Sequence, residues 1–402
     1  MLSDVEIDNL IQPFVDRQIA LESFVINNMA TRVKEIGTLS KTDVYRLQQL
    51  YKTGSNVRLI NQQLSKLLNV QEKSVKKMIR DVAVKTYYVD AKPYYDYRRR
   101  TQLPLKSNDR LQKSINAIGK QTADTFKNLS NSKAIGFYIR DLKNPSQLKF
   151  QSIPQTYQSV IDEAIQSVQT GVLDFDTAMR RTLKQLNDSG IRRLYWDSGY
   201  SRRLDSTVRM NILGGIRQIN QAVQRQIADE IKADGIELSA HSFSAPDHEP
   251  VQGHIFTLEN FDKLQNDMSF EDVNGNQFAP IRRPIGEWNC KHFTQAVIIA
   301  VHKPTWDLKE LEELKQANAK GYTTKDGKHY TMYECTQVQR RYETDIRYAK
   351  EGYMMAKDAG NEQLMDFYKA KINRLNTEYR QFSKDCGLST QNSRKTVQNF
   401  YY

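Results

Sequence analysis

Histidine and cysteine are scarce in this chain, and most of them fall together. Four of the six histidines, His241, His248, His254 and His292, lie between residues 241 and 292 with Cys290, one of three cysteines. Imidazole nitrogen and thiolate sulfur are ligands that zinc takes in tetrahedral array. His241, His248, Cys290 and His292 could supply four of them if their two segments meet. Cys290-Lys291-His292 on an extended strand would put both ligand side chains on one face. The spacing matches no standard zinc finger. A histidine pair can also work as general acid and base, with Asp247, Glu249, Arg282 and Arg283 orienting the base or holding a phosphate. The third reading is a polar network that braces a loop-rich module, its imidazoles bonded to backbone. All three readings stay open on these residues alone.

A second group is aromatic and basic. Lys85 to Arg100 holds Tyr87, Tyr88, Tyr94, Tyr95 and Tyr97 and ends in Arg98, Arg99 and Arg100. Arginines on phosphates, with Tyr94, Tyr95 and Tyr97 against bases or sugars, would make a nucleic-acid contact. The alternative is a connector whose tyrosines pack on neighbouring helices while the arginines stay solvated. The chain has 402 residues, with 59 Lys and Arg against 47 Asp and Glu, a net charge of +12 that favours an acidic partner. It has no phosphate-binding glycine loop, no GxSxG elbow and no HExxH.

The elements that must position these residues follow from the prolines. Pro13 is followed by none until Pro93, Pro154 by none until Pro246, and Pro304 by none to residue 402. Proline removes a backbone donor and clashes with the preceding turn, so these stretches predict helices. Ser40 to Gly54 reads as a capped helix, and 57–84 as short helices with Leu59, Ile60, Leu64, Leu67 and Leu68 on one face. Asp176 and Asp205 are read as N-caps. The helix after Asp205 carries the stripe Val208, Ile212, Ile216, Ile219, Val223 and Ile227. Gly214-Gly215 inside it predicts close approach of another backbone. Gly235 to His241 alternates like a strand, His254 to Leu258 is a second strand candidate, and Cys290 to Val301 is a strand or a buried helix. Asp307 caps a further helix. Asp326-Gly327 between β-prone flanks predicts a hairpin, and two long helices follow it. Their charges of both signs read as a solvated surface.

The expected fold is therefore α+β and predominantly α-helical. A multi-helix N-terminal region with the Tyr/Arg connector covers 1–110, and a central helical domain covers 111–235. A small α+β module holding the His/Cys cluster covers 236–304, and a β-hairpin with a helical hairpin arm covers 305–402. A hydrophobic content of 39% is enough to bury a core. No stretch approaches the ~20 apolar residues of a membrane span. The first residues lack the pattern of a signal peptide, and three widely spaced cysteines form no disulfide framework. Both point to synthesis in a reducing cytoplasm.

Several segments in order resemble the phage minor capsid protein 2 family, related more distantly to the phage Mu F-like head-morphogenesis proteins. They are Arg203 to Gly215, Glu237 to His241, Pro246-Asp-His248 through Gln252-Gly253 to Phe256, Asn289-Cys290-Lys291-His292, and Tyr333 to Glu343. Ala245 stands where the family has an arginine and Val251 where it has an aromatic residue, departures that count against a catalytic role. The resemblance implies a non-enzymatic virion component made in the bacterial host cytoplasm. It implies a place in the capsid interior near the portal vertex, bound to the portal protein and in reach of the major capsid protein and packaged DNA. The role implied is head assembly and genome packaging or ejection. The competing function is a nuclease or toxin-like enzyme built on His241, His248 and His292.

Overall fold

The computed structural model describes residues 4–37, 55–98, 101–129, 134–140, 146–170, 175–194, 201–287, 290–397 and 400. The chain opens with helices α1 (Asp4–Gly37), α2 (Ser55–Arg98) and α3 (Asp109–Leu129). Strands β1 (Ile135–Arg140) and β2 (Leu148–Ser152), helices α4 (Ile153–Thr170) and α5 (Phe175–Ser189), and strands β3 (Arg192–Leu194) and β4 (Ser201–Arg203) come next. Then follow α6 (Leu204–Ile231), β5 (Gly235–Leu238), β6 (Ile255–Thr257), α7 (Leu258–Gln265), β7 (Phe270–Glu271), β8 (Gln277–Phe278) and β9 (Thr294–Val297). The last elements are α8 (Leu308–Lys320), β10 (Tyr322–Thr323), β11 (His329–Tyr330), α9 (Met332–Asp358) and α10 (Glu362–Asp385). This is the predominantly helical α+β class that the proline spacing predicts.

The chain divides into two compact units. The first comprises Met1–Ile11, Glu72–Asp124 and Met210–Val338, and the second Gln12–Gln71, Thr125–Arg209 and Gln339–Tyr402.

In the first unit, the α6 stripe is wholly internal: Ile212, Ile216, Ile219, Val223, Ile227 and Ile231 are all at most 1% exposed. Burying each such side chain is worth roughly 1.5–3 kcal/mol. From α2 come Val75, Ile79, Val82, Tyr87 and Ala91, also buried. The helix α2 continues through Pro93 to Arg98, where a connector was expected. Pro93 withholds a hydrogen bond from the carbonyl of Val89, and Val89 is exposed, so water can take its place. Gly214 and Gly215 also differ from expectation. A Cβ on Gly215 would lie 2.6 Å from Thr122 Oγ1 and 3.2 Å from Ile79 Cδ1, whereas one on Gly214 would meet nothing within 4 Å. The close neighbours are side chains, and one of the two glycines accommodates them.

An antiparallel sheet in the order β6-β5-β9 carries the histidine module. Buried Gln224 on α6 donates to Asp90 on α2 and accepts from the Ala296 N–H of β9, both at 2.9 Å. A single side chain thus ties the sheet to two helices. Asp307 caps α8 as expected, and the cap is a full capping box, with Asp307 and Glu310 reciprocally bonded. The β10–β11 hairpin turns at Gly327, which has φ +85°.

The second unit holds an antiparallel sheet in the order β2-β1-β3-β4 that the sequence pattern does not announce. Two of its strands are three residues long and carry Arg192, Arg193, Arg202 and Arg203, too short and polar for a period-two signal. The helices α9 and α10 form the expected helical hairpin. Their charges are not all solvated: Glu343 and Glu351 are buried and the Arg347 side chain is only 11% exposed, because α9 contributes to this unit's interior. Helices α5 and α6 begin one residue before Asp176 and Asp205, so both acids sit in the first turn instead of capping it. The predicted helix from Ser40 to Gly54 lies outside the described residues, as do the side chains of Leu59, Ile60, Leu64 and Leu68.

Candidate metal centre

The site is assembled where three segments of the first unit converge. The strand β5 leads into His241, a short 3-10 turn at Glu249–Val251 follows His248, and Cys290 and His292 precede β9. Ladder bonds continue past the strands: Ser239 N–H donates to the Phe293 carbonyl, and Phe293 N–H donates to Ser239 Oγ, both at 2.9 Å. This brings the residues after β5 against those before β9. The His248 turn is closed by its own N–H and that of Glu249 on the Ala245 carbonyl. Gly253 then turns with φ +74°, where a Cβ would lie 2.3 Å from Leu311 Cδ2, so only glycine passes there.

His248, Cys290 and His292 offer ligand atoms that all lie within 4.8 Å of one another, and all three residues are buried. Cys290 Sγ is 3.6 Å from His292 Nδ1. The outer nitrogen of each ring is occupied. His248 Nε2–H donates to the Arg283 carbonyl at 2.6 Å. His292 Nε2 is 3.4 Å from Gln252 Oε1 and 3.3 Å from Ser244 Oγ. Because carbonyl oxygens only accept, these contacts put the ring hydrogens on Nε2 and leave both Nδ1 lone pairs facing the cluster. His248 Nδ1 is buried without a hydrogen-bond partner.

Charge shapes the same groups. Burial opposes ionisation of the Cys290 thiol, yet His248 and the Arg217 guanidinium together hold it below its ordinary value. Burial also disfavours the charged form of His248, but Cys290 and the Arg283 carbonyl outweigh it and raise that imidazole. His292 is held well below its ordinary value, first by burial and then by His241 and His248, so it is neutral near pH 7. Burial brings the Arg217 guanidinium down to about 10.

The structure thus brings together three of the four sequence-predicted ligands. The His241 ring packs beside His292, centroids 4.6 Å apart, while its Nδ1–H donates to the Ser242 carbonyl at 3.1 Å. His254 is elsewhere, paired with Asp272 at 2.7 Å beside Phe256 and Phe278. Arg283 holds Asp247 through two bonds of 2.9 and 3.0 Å, and Glu249 accepts from Asn318. Sequence reasoning did not find the work of Gln252, which accepts from the His241 N–H at 3.1 Å while facing His292. Its place beside Gly253 was the available signal. Arg217 and Ser244 gave none, because nothing in their neighbourhoods marks them.

The Tyr/Arg segment divides. Tyr94 and Tyr95 are buried on the same stripe of α2 as Tyr87 and Ala91, and Tyr94 OH meets His302 Nδ1 at 2.5 Å. Tyr97 and Arg98 are exposed, and Arg99 and Arg100 lie outside the described residues. Lys73, Lys77 and Arg80, three and four residues apart on α2, form an exposed basic face.

Fold and site together define a class: a helix-rich scaffold that carries a small, buried His/Cys module. The chain belongs to the phage minor capsid protein 2 family, whose profile matches residues 2–384. It is a structural phage capsid component with its place in the virion. No curated protein and no solved structure is significantly similar to it. Among the described residues no helix is long and apolar enough to cross a membrane.

Proposed function

We propose that this capsid protein sits inside the head at the portal vertex, bound to the portal protein, and acts in head assembly and genome packaging or ejection. Membership of the minor capsid family over residues 2–384 carries this reading. The net charge of +12 suits a position beside packaged DNA, where lysines and arginines neutralise phosphates and release counterions. The exposed cations Lys73, Lys77, Arg80 and Arg98 are the groups on α2 best placed for that contact, with Tyr97 beside them. The complete burial of His248, Cys290 and His292 supports a module that braces the fold and performs no turnover.

Co-expression with the portal protein tests the docking: the chain is expected to co-purify with portal rings at a fixed ratio, and its absence from the rings overturns the portal assignment. DNA binding by the wild type should weaken steeply with salt. The combined Lys73→Ala, Lys77→Ala, Arg80→Ala variant should flatten the log–log salt slope by about 3. An unchanged slope removes the α2 face as the contact.

A further inference from the structure

We infer that His248, Cys290 and His292 form a zinc site that staples the three segments of the module together, with His241 placed to complete the coordination. Four observations converge on it. Two imidazoles and a thiol are a donor set that suits zinc. Their ligand atoms already lie within 4.8 Å of one another, and Cys290 Sγ and His292 Nδ1 are 3.6 Å apart. A tetrahedral zinc with bonds of ~2.0–2.3 Å needs about 3.5 Å between ligands. One edge of the site is therefore already at length, and the others require a contraction of about 1.3 Å at most.

The orientation of the rings is the second observation. Both histidines spend Nε2 on the protein, His248 on the Arg283 carbonyl and His292 on the Gln252 amide. That outer-sphere pattern fixes the tautomer of metal-bound histidine. The third is His248 Nδ1, a polar atom in a residue 0% exposed, buried without a hydrogen-bond partner. Such an orphan is destabilising when nothing binds it, and a bound cation removes that cost. The fourth is His241. Its Nδ1–H is held by the Ser242 carbonyl, so its basic nitrogen is Nε2, on a ring that stacks against His292. Coordination through that nitrogen requires a side-chain rotation, and the ring is only half-buried.

Of the nearby guanidinium groups, Arg283 is neutralised by Asp247, and Arg217 donates to the Glu287 carbonyl at 3.2 Å. The role is that of a cross-link. Zinc would join the loop after β5, the His248 turn and the lead into β9, as a disulfide would in an oxidising compartment.

The test uses the full chain. Purified protein is expected to contain equimolar zinc by inductively coupled plasma mass spectrometry. After chelation, added zinc chloride should raise the melting temperature. Cobalt(II) in place of zinc should give an intense tetrahedral visible spectrum and a sulfur-to-cobalt charge-transfer band. Cys290→Ser should abolish that band, and Gln252→Ala should weaken zinc binding by about 10-fold or more through loss of the outer-sphere contact. His241→Ala should keep the charge-transfer band and change the visible bands, because water replaces an imidazole. If Cys290→Ser fails to fold, the wild-type cobalt spectrum decides alone. Wild-type protein whose melting temperature ignores zinc, or whose cobalt adduct lacks the thiolate band, overturns the site. Visible bands unaltered in His241→Ala overturn the assignment of the fourth ligand. None of these readouts depends on portal binding, so the site and the virion role fail separately.

Discussion

Each unit of this protein buries a cluster of ionisable side chains, and the two clusters differ in what can balance their charge. In the second unit, Arg203 bonds Glu22 at 2.6 Å and lies over the Tyr348 ring at 3.2 Å, while Arg347 bonds Asp205. Glu351 lies 3.8 Å from Arg203 and 3.9 Å from Arg347, with neither oxygen hydrogen-bonded. Three acids face two arginines, and burial, then the neighbouring Glu22 carboxylate, push the Glu351 carboxyl up to about 8. A proton on Glu351 leaves two charges of each sign. In the first unit, two imidazole lone pairs and a readily ionised thiol point at one another. A proton can bridge two such donors, and a metal ion can satisfy all three. Hard carboxylates with guanidinium partners need only protons for balance, whereas a soft donor set leaves room for a cation.

The largest expected effect breaks the second cluster. Arg203→Ala strands buried Glu22 and should cost about 3–5 kcal/mol, read as a lower denaturant midpoint. The double variant Arg203→Met, Glu22→Leu should recover most of that loss, since apolar replacement of a buried pair is often neutral or stabilising. A single variant as stable as the parent would show that the pair contributes nothing.

A pH series sharpens the contrast. Because folding raises the Glu351 carboxyl from 4.5 to about 8, the folded state takes up a proton. That stabilisation is complete below pH 4.5 and is lost as pH rises through about 8. Glu351→Gln mimics the protonated acid, so it should match the wild type near pH 4 and melt higher near pH 9. Parallel melting curves across that range would remove the proton from the account.

The smallest effect lies in the first unit's helix α6. Gly215→Ala forces a Cβ against Thr122 and should destabilise, whereas Gly214→Ala meets open space and should stabilise by about 0.5–1 kcal/mol. Equal shifts for the two variants would mean that Thr122 simply moves aside.

Helices with a long apolar stripe or a strong cap were legible. The α6 stripe, the Asp307 cap and the Asp326-Gly327 hairpin all follow from local preferences. The sheet β2-β1-β3-β4 was not, since its arginine-bearing strands are only three residues long and join the sheet through the pairing of β3 with β1, distant in sequence. The ligand candidates could be named because histidine and cysteine are rare enough for a cluster to stand out. Which of them meet could not be read, and His254, equally close in sequence, went to Asp272 instead.

Residue order alone determined the helical character, the positive charge, the family and the candidate donor residues, because periodicity, composition and motif spacing are local properties. Only the tertiary structure decided that His248, Cys290 and His292 face one another, that Tyr94 and Tyr95 turn inward, and that Glu351 is buried beside two arginines. Each of those outcomes depends on which distant segment packs opposite, and it is that packing which sets solvation, distance and charge.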